Sequence, residues 1–302
     1  MQVDHSMVAC NTDYLTSRPQ YVRLQGSVSD VLLSNTGAPQ GTVLSPFLFT
    51  LYTSDFRFNS GSCHLQKFSD DSSIVSCITD DNEEEYRALV ENFVGWCDNN
   101  HLQLNISKTK ELVVDFRRSR KRPLTPTTIR GKDVEVVHSY KFLGVHLNNK
   151  LDWSDNTDAL FRKGQSKLFF LRRLRSFNVC TRLLQMFYQS VVASVLFFAV
   201  VCWGGNTNTR DTGRLNKLVR KASSVVGVQL DNLEAVAEGR TRRKLDSILE
   251  NPSHPLHAEL VKMRNTFSHR LIPPRHSTKR LGQSFVPVAI RLHNKGSIMK
   301  KK

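Results

Sequence analysis

"FSDDSSIV", residues 68–75, sets Asp70 and Asp71 side by side between apolar stretches, where their charges repel. In most sequences an Asp-Asp pair of this kind is a solvated polar turn. The alternative is a metal site, because magnesium takes oxygen ligands and a rigid backbone can hold carboxylates where two-metal chemistry needs them. The flanking residues favour a defined geometry for the pair. "CHLQKF" (63–68) reads as a strand and "SSIVSCI" (72–78) as its partner, with the bend at Ser69–Asp71. Both aspartates then stand at the tip of a hairpin.

Working outward, "GAPQG" (37–41) is a loop with two glycines and a proline, and a helix is expected after it. Ser45 suits the N-cap and Pro46 the first helical position. Leu44, Phe47, Leu48, Leu51 and Tyr52 recur on one helical face. Downstream of the hairpin, Asp80 or Asp81 is expected to cap a helix whose first turn holds Glu83, Glu84 and Glu85. Its apolar face is Tyr86, Leu89, Val90, Phe93, Val94 and Cys97. "LQLNISKTKELVVDF" offers one or two strands, with Lys108 and Lys110 in the connection, and 117–123 is a basic loop. "TIRGKDVEVV" predicts a hairpin turning near Gly131–Lys132, and "YKFLGVHL" one more strand. Residues 20–35 alternate loosely. From about 156 the spacing is helical, over 157–176 and then 181–199. After 206 the periodicity weakens, with one helix expected near 213–225.

The charge is unevenly placed. The chain of 302 residues has a net charge of +16, yet residues 1–206 carry 23 Lys/Arg against 20 Asp/Glu, and residues 207–302 carry 20 against 7. After Glu259 come eleven basic residues and no acid. Such a block suits a polyanion, most simply nucleic acid; the bland reading is a solvated basic tail. The basic loop at 117–122 divides evenly between a phosphate contact and a solvated charge run. Six cysteines without C-x-x-C spacing argue against a zinc ribbon, and with no secretory signal they fit a reducing, intracellular compartment, nuclear or cytoplasmic. The longest apolar stretch, Val191–Trp203, has 13 residues, short for a membrane span and ordinary for a buried helix.

In order, "GAPQGTVLSPFLFTLYTSDF" and "FSDDSSIV" resemble two successive palm motifs of reverse transcriptases, most closely those of LINE-type, non-LTR retrotransposons. Ser69 stands where the family pattern has alanine. "WCDNNHLQLNISKTK" (96–110) resembles the next family motif, and "YKFLGVHL" the primer-grip strand. The resemblance implies an α+β fold: a partial polymerase palm, an antiparallel sheet with packed helices, over 1–150; a helical thumb-like region over 151–206; and a basic C-terminal region over 207–302. It implies Asp70 and Asp71 as metal-binding catalytic carboxylates for Mg2+. It implies Gly37, Pro39, Gln40 and Gly41 at the template and incoming nucleotide, and Lys108 near the triphosphate. Phe142, Leu143 and Gly144 fall at the primer grip. The partner implied is RNA or a DNA/RNA duplex, with no membrane.

Each residue also has a plain reading: Lys108 a surface lysine, Phe142 and Leu143 core, the Pro-Gln-Gly loop only a loop. Only the ordered set raises the catalytic-ancestry reading above these. One part is expected to be missing. The family's palm has a further essential aspartate well upstream of the Pro-Gln-Gly loop. The acids before Gly37, namely Asp4, Asp13 and Asp30, do not lie in that context. The chain is therefore expected to be an inactive fragment, with the further alternative that it never folds stably, because without its fingers the palm sheet would expose a strand edge and apolar surface. Two other readings stand beside it. One is a non-catalytic nucleic-acid-binding protein. The other, remote, follows from a resemblance of about 156–198 to the helical domain named after the N-terminus of an AlkB homologue. That name suggests an iron- and 2-oxoglutarate-dependent dioxygenase, for which the one loose ligand match is His257-Ala258-Glu259.

Overall fold

A computed structural model describes residues 4–58, 60–117, 125–266, 268 and 270–299. The fold is α+β, and the chain divides into two compact units. The first comprises residues 1–108 with 127–133, the second 109–126 with 134–302.

The first unit opens with α1 (His5–Leu15), capped by the Asp4 carboxylate accepting from the Ser6 amide, a helix the sequence reading did not foresee. Short strands follow: β1 (Arg18–Gln20), β2 (Arg23–Leu24), β3 (Ser27–Val28) and β4 (Leu32–Ser34), paired β1 with β4 and β2 with β3. Next come α2 (Leu44–Tyr52), β5 (Cys63–Phe68), β6 (Asp71–Ser76) and α3 (Glu84–Asn99). The chain then forms β7 (Lys110–Glu111) in the second unit and returns to the first with the β8 (Thr128–Ile129) and β9 (Lys132–Asp133) hairpin. That hairpin turns through Arg130 and Gly131, both at positive φ, as a two-residue type I′ turn requires.

Two caps differ from expectation. Helix α2 starts at Leu44, with Val43 at its N-cap and Ser45 inside the first turn. Helix α3 starts after Glu83, and its Glu84 amide is taken by the Asn82 side chain rather than by Asp80 or Asp81. The expected apolar face of α3 does face inward, burying Leu89, Val90, Phe93 and Cys97. Helix α2 buries none of its residues: Val43 before it is 97% exposed and Phe47 62%.

In the second unit β10 (Glu135–Val136) runs parallel to β7, and β11 (Ser139–Phe142) pairs antiparallel with β12 (Val145–Asn148). The segment "YKFLGVHL" is thus a hairpin, not one strand. Leu143 (φ 45°) and Gly144 (φ 87°) make its turn, and a Cβ on Gly144 would stand 3.0 Å from the Phe198 ring. Among the described residues every ladder is two-stranded, so a continuous antiparallel sheet does not form.

Helices complete this unit. They are α4 (Ser154–Ser176), α5 (Thr181–Phe187), a π-helical turn (Tyr188–Ala193), α6 (Ser194–Leu196) and α7 (Val200–Trp203). After them come α8 (Thr209–Val226), α9 (Leu233–Glu250), α10 (His257–Lys262), α11 (Lys279–Gly282) and α12 (Phe285–Met299). The helix expected over 181–199 is therefore broken. A π turn bulges it and Ala199, at φ 49°, bends it. The carbonyls freed at the bend are met: Phe197 O by the Arg240 guanidinium at 2.6 Å, Phe198 O by the Trp203 indole at 2.8 Å. After 206 the single helix expected is joined by four more. Helices α8 and α9 are each N-capped by asparagine, Asn208 for the Asp211 amide and Asn232 for the Ala235 amide.

The main core joins α4, the bent helix and α8 through Leu160, Leu168, Leu171, Leu196, Trp203, Leu215, Leu218 and Val226. A second cluster joins α9, α10 and α12 through Leu245, Ile248, Leu260 and Ile290. Gly164 marks the closest approach in the main core, because a Cβ there would lie 2.5 Å from Leu196 and 2.9 Å from Leu218. No single helix among the described residues is long and apolar enough to cross a membrane. The bent pair Thr181–Leu196 and Val200–Asn206 passes only jointly, and it buries Leu184, Tyr188, Leu196 and Trp203 in the core.

Two outcomes are expected. Gly164→Ala gains up to about 1 kcal/mol of helix propensity but crowds buried leucines at a cost of about 1–3 kcal/mol. A lower midpoint in urea unfolding is expected. The second concerns the turn into α4. Burial alone would raise the Asp152 carboxyl, but hydrogen bonds from Asn148 Nδ2 (2.8 Å) and from the Ser154 hydroxyl (2.6 Å) and amide (3.0 Å) outweigh it and hold it below 3.8. A folded value below the unfolded one makes this contribution complete at neutral pH, and it is lost as pH falls through the folded value. An NMR titration of Asp152 is expected to show a midpoint under 3.8, shifted upward in Asn148→Ala.

Candidate functional site

The hairpin β5–β6 places the two aspartates by a simple rule of alternation. Cys63, Leu65 and Lys67 face inward opposite Ser76, Ile74 and Ser72, while His64, Gln66 and Phe68 face outward opposite Val75, Ser73 and Asp71. The loop is two residues, Ser69 and Asp70, with Ser69 at φ 55°, in the pattern of a type II′ turn. Asp70 and Asp71 are both exposed, and Asp71 shares the outward face with Phe68 and Val75, each 60% exposed.

The sequence reading missed the residue that fixes this hairpin. The inward Lys67 ammonium donates to Thr53 O, at the C-cap of α2, and to Phe56 O at 3.1 Å, and it lies 5.8 Å from the Trp96 ring of α3. Burial pulls this ammonium below the ordinary lysine value; Asp55 opposes that and Arg57 adds to it. Strand alternation was the available signal, since it puts a lysine on the same face as Cys63 and Leu65.

The Pro-Gln-Gly loop is held from two sides. Arg18 Nη2 donates to Thr36 O (2.5 Å) and Gly37 O (2.8 Å). On the other side the Tyr14 hydroxyl bonds Thr42 Oγ1 (2.7 Å), and Ser45 Oγ donates to Pro39 O at 2.5 Å. Hydrogen bonds from Ser45 and Thr42 pull the Tyr14 phenol below its usual value. Gly37 and Gly41 sit at φ 65° and 80° in open space, so glycine is required there for backbone conformation rather than for room. Gln40 is exposed and Pro39 half-buried. Arg18 and Tyr14 had no sequence signal of their own, because their contacts span 18 to 31 positions.

Lys108 is exposed in a turn closed by Asn105, whose carbonyl and side chain both accept from the Lys108 amide. Phe142 and Leu143 are half-buried at the β11–β12 turn of the other unit. The basic residues 118–122 lie outside the described residues; Arg117 pairs with Asp115. His257 and Glu259 stand on the short helix α10, with His257 Nδ1 at 3.0 Å from Ile248 O and Glu259 paired to Lys262, so they do not converge as ligands. For a divalent cation, Asp70 and Asp71 offer hard oxygen donors at a backbone-defined tip. No group of three metal-ligating side chains forms among the described residues, so the donor set falls short of a two-metal centre.

Comparison with known proteins defines the class. Residues 2–147 match the family described as reverse transcriptase (RNA-dependent DNA polymerase), and residues 153–194 match the family described as alkylated DNA repair protein alkB homolog 8, N-terminal. Residues 2–147 are thus similar to reverse transcriptases, and the relatives include those of mobile elements. The chain is 26% identical over 206 residues to the probable RNA-directed DNA polymerase from transposon BS of Drosophila melanogaster. It is 28% identical over 213 residues to the RNA-directed DNA polymerase from mobile element jockey of Drosophila funebris, and 26% over 200 residues to the probable RNA-directed DNA polymerase from transposon X-element of Drosophila melanogaster. These alignments cover 63–65% of this chain and 22% of each relative. No solved structure matches it.

Arg18→Ala is expected to release the Pro-Gln-Gly loop, since hydrogen bonds from a charged donor are among the stronger ones. Amide exchange of residues 36–42 should quicken by about tenfold while that of α3 is unchanged. Equal exchange in both proteins would show that Arg18 does not hold the loop.

Proposed function

We propose that this chain is a catalytically incomplete piece of a non-LTR reverse transcriptase that retains nucleic-acid binding. Residues 1–150 are read as the palm part, 151–206 as the thumb-like part and 207–302 as a basic C-terminal part. Asp70 and Asp71 would take Mg2+, which would supply charge neutralisation at the transferring phosphate when bound. Gly37, Pro39, Gln40 and Gly41 would contact template and nucleotide, Lys108 the triphosphate, and Phe142, Leu143 and Gly144 the primer end. The observation that carries this reading is the two-residue hairpin tip bearing Asp70 and Asp71, in a segment matched by the reverse transcriptase family.

The incompleteness rests on the donor count. With two carboxylates and no third ligand group among the described residues, positioning and charge stabilisation are both weakened. In a primer-extension assay with magnesium, the chain is expected to extend at least about a hundredfold more slowly than a jockey-type polymerase. Robust extension, abolished by Asp70→Asn, would overturn the incompleteness and leave the lineage standing. The dioxygenase reading has weaker support, because its candidate ligands His257 and Glu259 do not converge. Iron-dependent turnover of 2-oxoglutarate would be needed to revive it.

A further inference from the structure

Helix α4 carries an exposed surface that neither the core nor the palm motifs use. Between Asp158 and Asp211 the chain has eight basic residues and no acid, six of them on α4: Arg162, Lys163, Lys167, Arg172, Arg173 and Arg175. Among the described residues none of the six pairs with a carboxylate, whereas basic residues elsewhere, such as Arg214, Arg242 and Lys262, do. The basic stretch is interleaved with aromatic rings facing solvent. Phe169 is 58% exposed, Phe170 49% and Phe177 68%. Phe169 and Phe170 meet edge to face at 5.6 Å, and the Arg173 guanidinium lies 5.4 Å from the Phe177 ring.

Helical spacing arranges these groups in order. Arg162, Ser166, Phe169, Arg173 and Phe177 step by four, three, four and four residues, which is one ridge of the helix. Lys163, Lys167 and Phe170 make a second ridge beside it. At 1.5 Å per residue the first ridge is about 22 Å long. The opposite side of α4, through Leu160, Gly164, Leu168 and Leu171, is buried, so the ridges cannot be core in waiting within this unit.

We propose that this face of α4 binds single-stranded nucleic acid, its phosphates on the arginines and lysines and unpaired bases stacked on Phe169, Phe170 and Phe177. The proposal rests on the nucleic-acid-binding reading and adds to it a surface and a strandedness. The unpaired positive charge selects a polyanion over an apolar protein partner, which would leave the four cations of the two ridges, Arg162, Lys163, Lys167 and Arg173, desolvated without a counter-charge. The rings select a single strand over a duplex, because stacking needs an open base face and a duplex presents its backbone and groove edges instead. Each ring then offers sequence-tolerant stacking.

Fluorescence anisotropy with labelled oligoadenylate and with a hairpin duplex of similar length tests this on the full chain at low salt. Phe169→Ala/Phe170→Ala is expected to weaken oligoadenylate binding by about tenfold or more, leave its salt slope unchanged and spare the duplex. Phe169→Tyr/Phe170→Tyr should restore the affinity. Arg162→Gln/Arg173→Gln should lower the salt slope by about 1.4. All of these side chains are exposed, and circular dichroism of each variant is expected to match the parent. If the double alanine variant binds oligoadenylate as the parent does, or the parent binds only the duplex, the α4 proposal falls while nucleic-acid binding stands. If the parent binds neither, both fall together.

Discussion

The arrangement of the first unit depends on one half-buried cation. Lys67 reaches from the inward face of the hairpin to the carbonyls of Thr53 and Phe56 and lies close to Trp96, so one side chain ties together the end of α2, strand β5 and helix α3. Its position at the C-terminus of α2 also complements the helix dipole. Helix α2 begins three residues after Gly41, and the hairpin tip begins two residues after Lys67. The Pro-Gln-Gly segment and the two aspartates are thereby fastened to the same short framework. Around Lys67 the rings of Phe56, Phe93 and Trp96 meet at 5.2 to 6.0 Å and supply most of the apolar enclosure.

The second unit solves a different problem. Its most apolar segment bends twice within the core, through a π turn and through Ala199, and every bend in a helix releases backbone carbonyls. Arg240 and Trp203 accept that task, which links α9 to the bent helix by hydrogen bonds as well as packing. The segment matched by the alkB homolog 8 N-terminal family, 153–194, spans α4, α5 and the whole of this π turn. It is a helical scaffold in which Gly164 allows close contact on one side and the basic, aromatic ridges face outward on the other.

Exposed apolar area is a shared feature of the two units, with different neighbours. Around α2 and the hairpin, Val43, Phe47, Phe68 and Val75 are exposed with Asp71 among them. On α4 the exposed rings are flanked by arginine and lysine. The first surface carries carboxylates suited to a cation, the second a charge suited to phosphate.

Much of the local order was legible in residue pattern alone. The β5–β6 hairpin, the apolar face of α3, the Gly131 turn and the extent of α4 follow from alternation, helical spacing and turn residues, all set by neighbours within a few positions. The ordered motifs around Gln40 and Asp70 likewise carry the family resemblance without coordinates. What escaped depends on partners far away in sequence. Arg18 and Tyr14 bind the loop across 18 to 31 residues, Lys67 caps a helix 14 residues back, and "YKFLGVHL" turns at Leu143–Gly144 with the Phe198 ring packed close to Gly144. After 206 only α8 was foreseen; α9, α10 and α12 were not, because the core they share joins residues far apart in sequence. Residue order therefore determined the local elements around the motifs and the family resemblance. Tertiary structure alone decided which polar groups hold the loop and hairpin in place, because hydrogen-bond partners are chosen by proximity in space, which sequence distance does not encode.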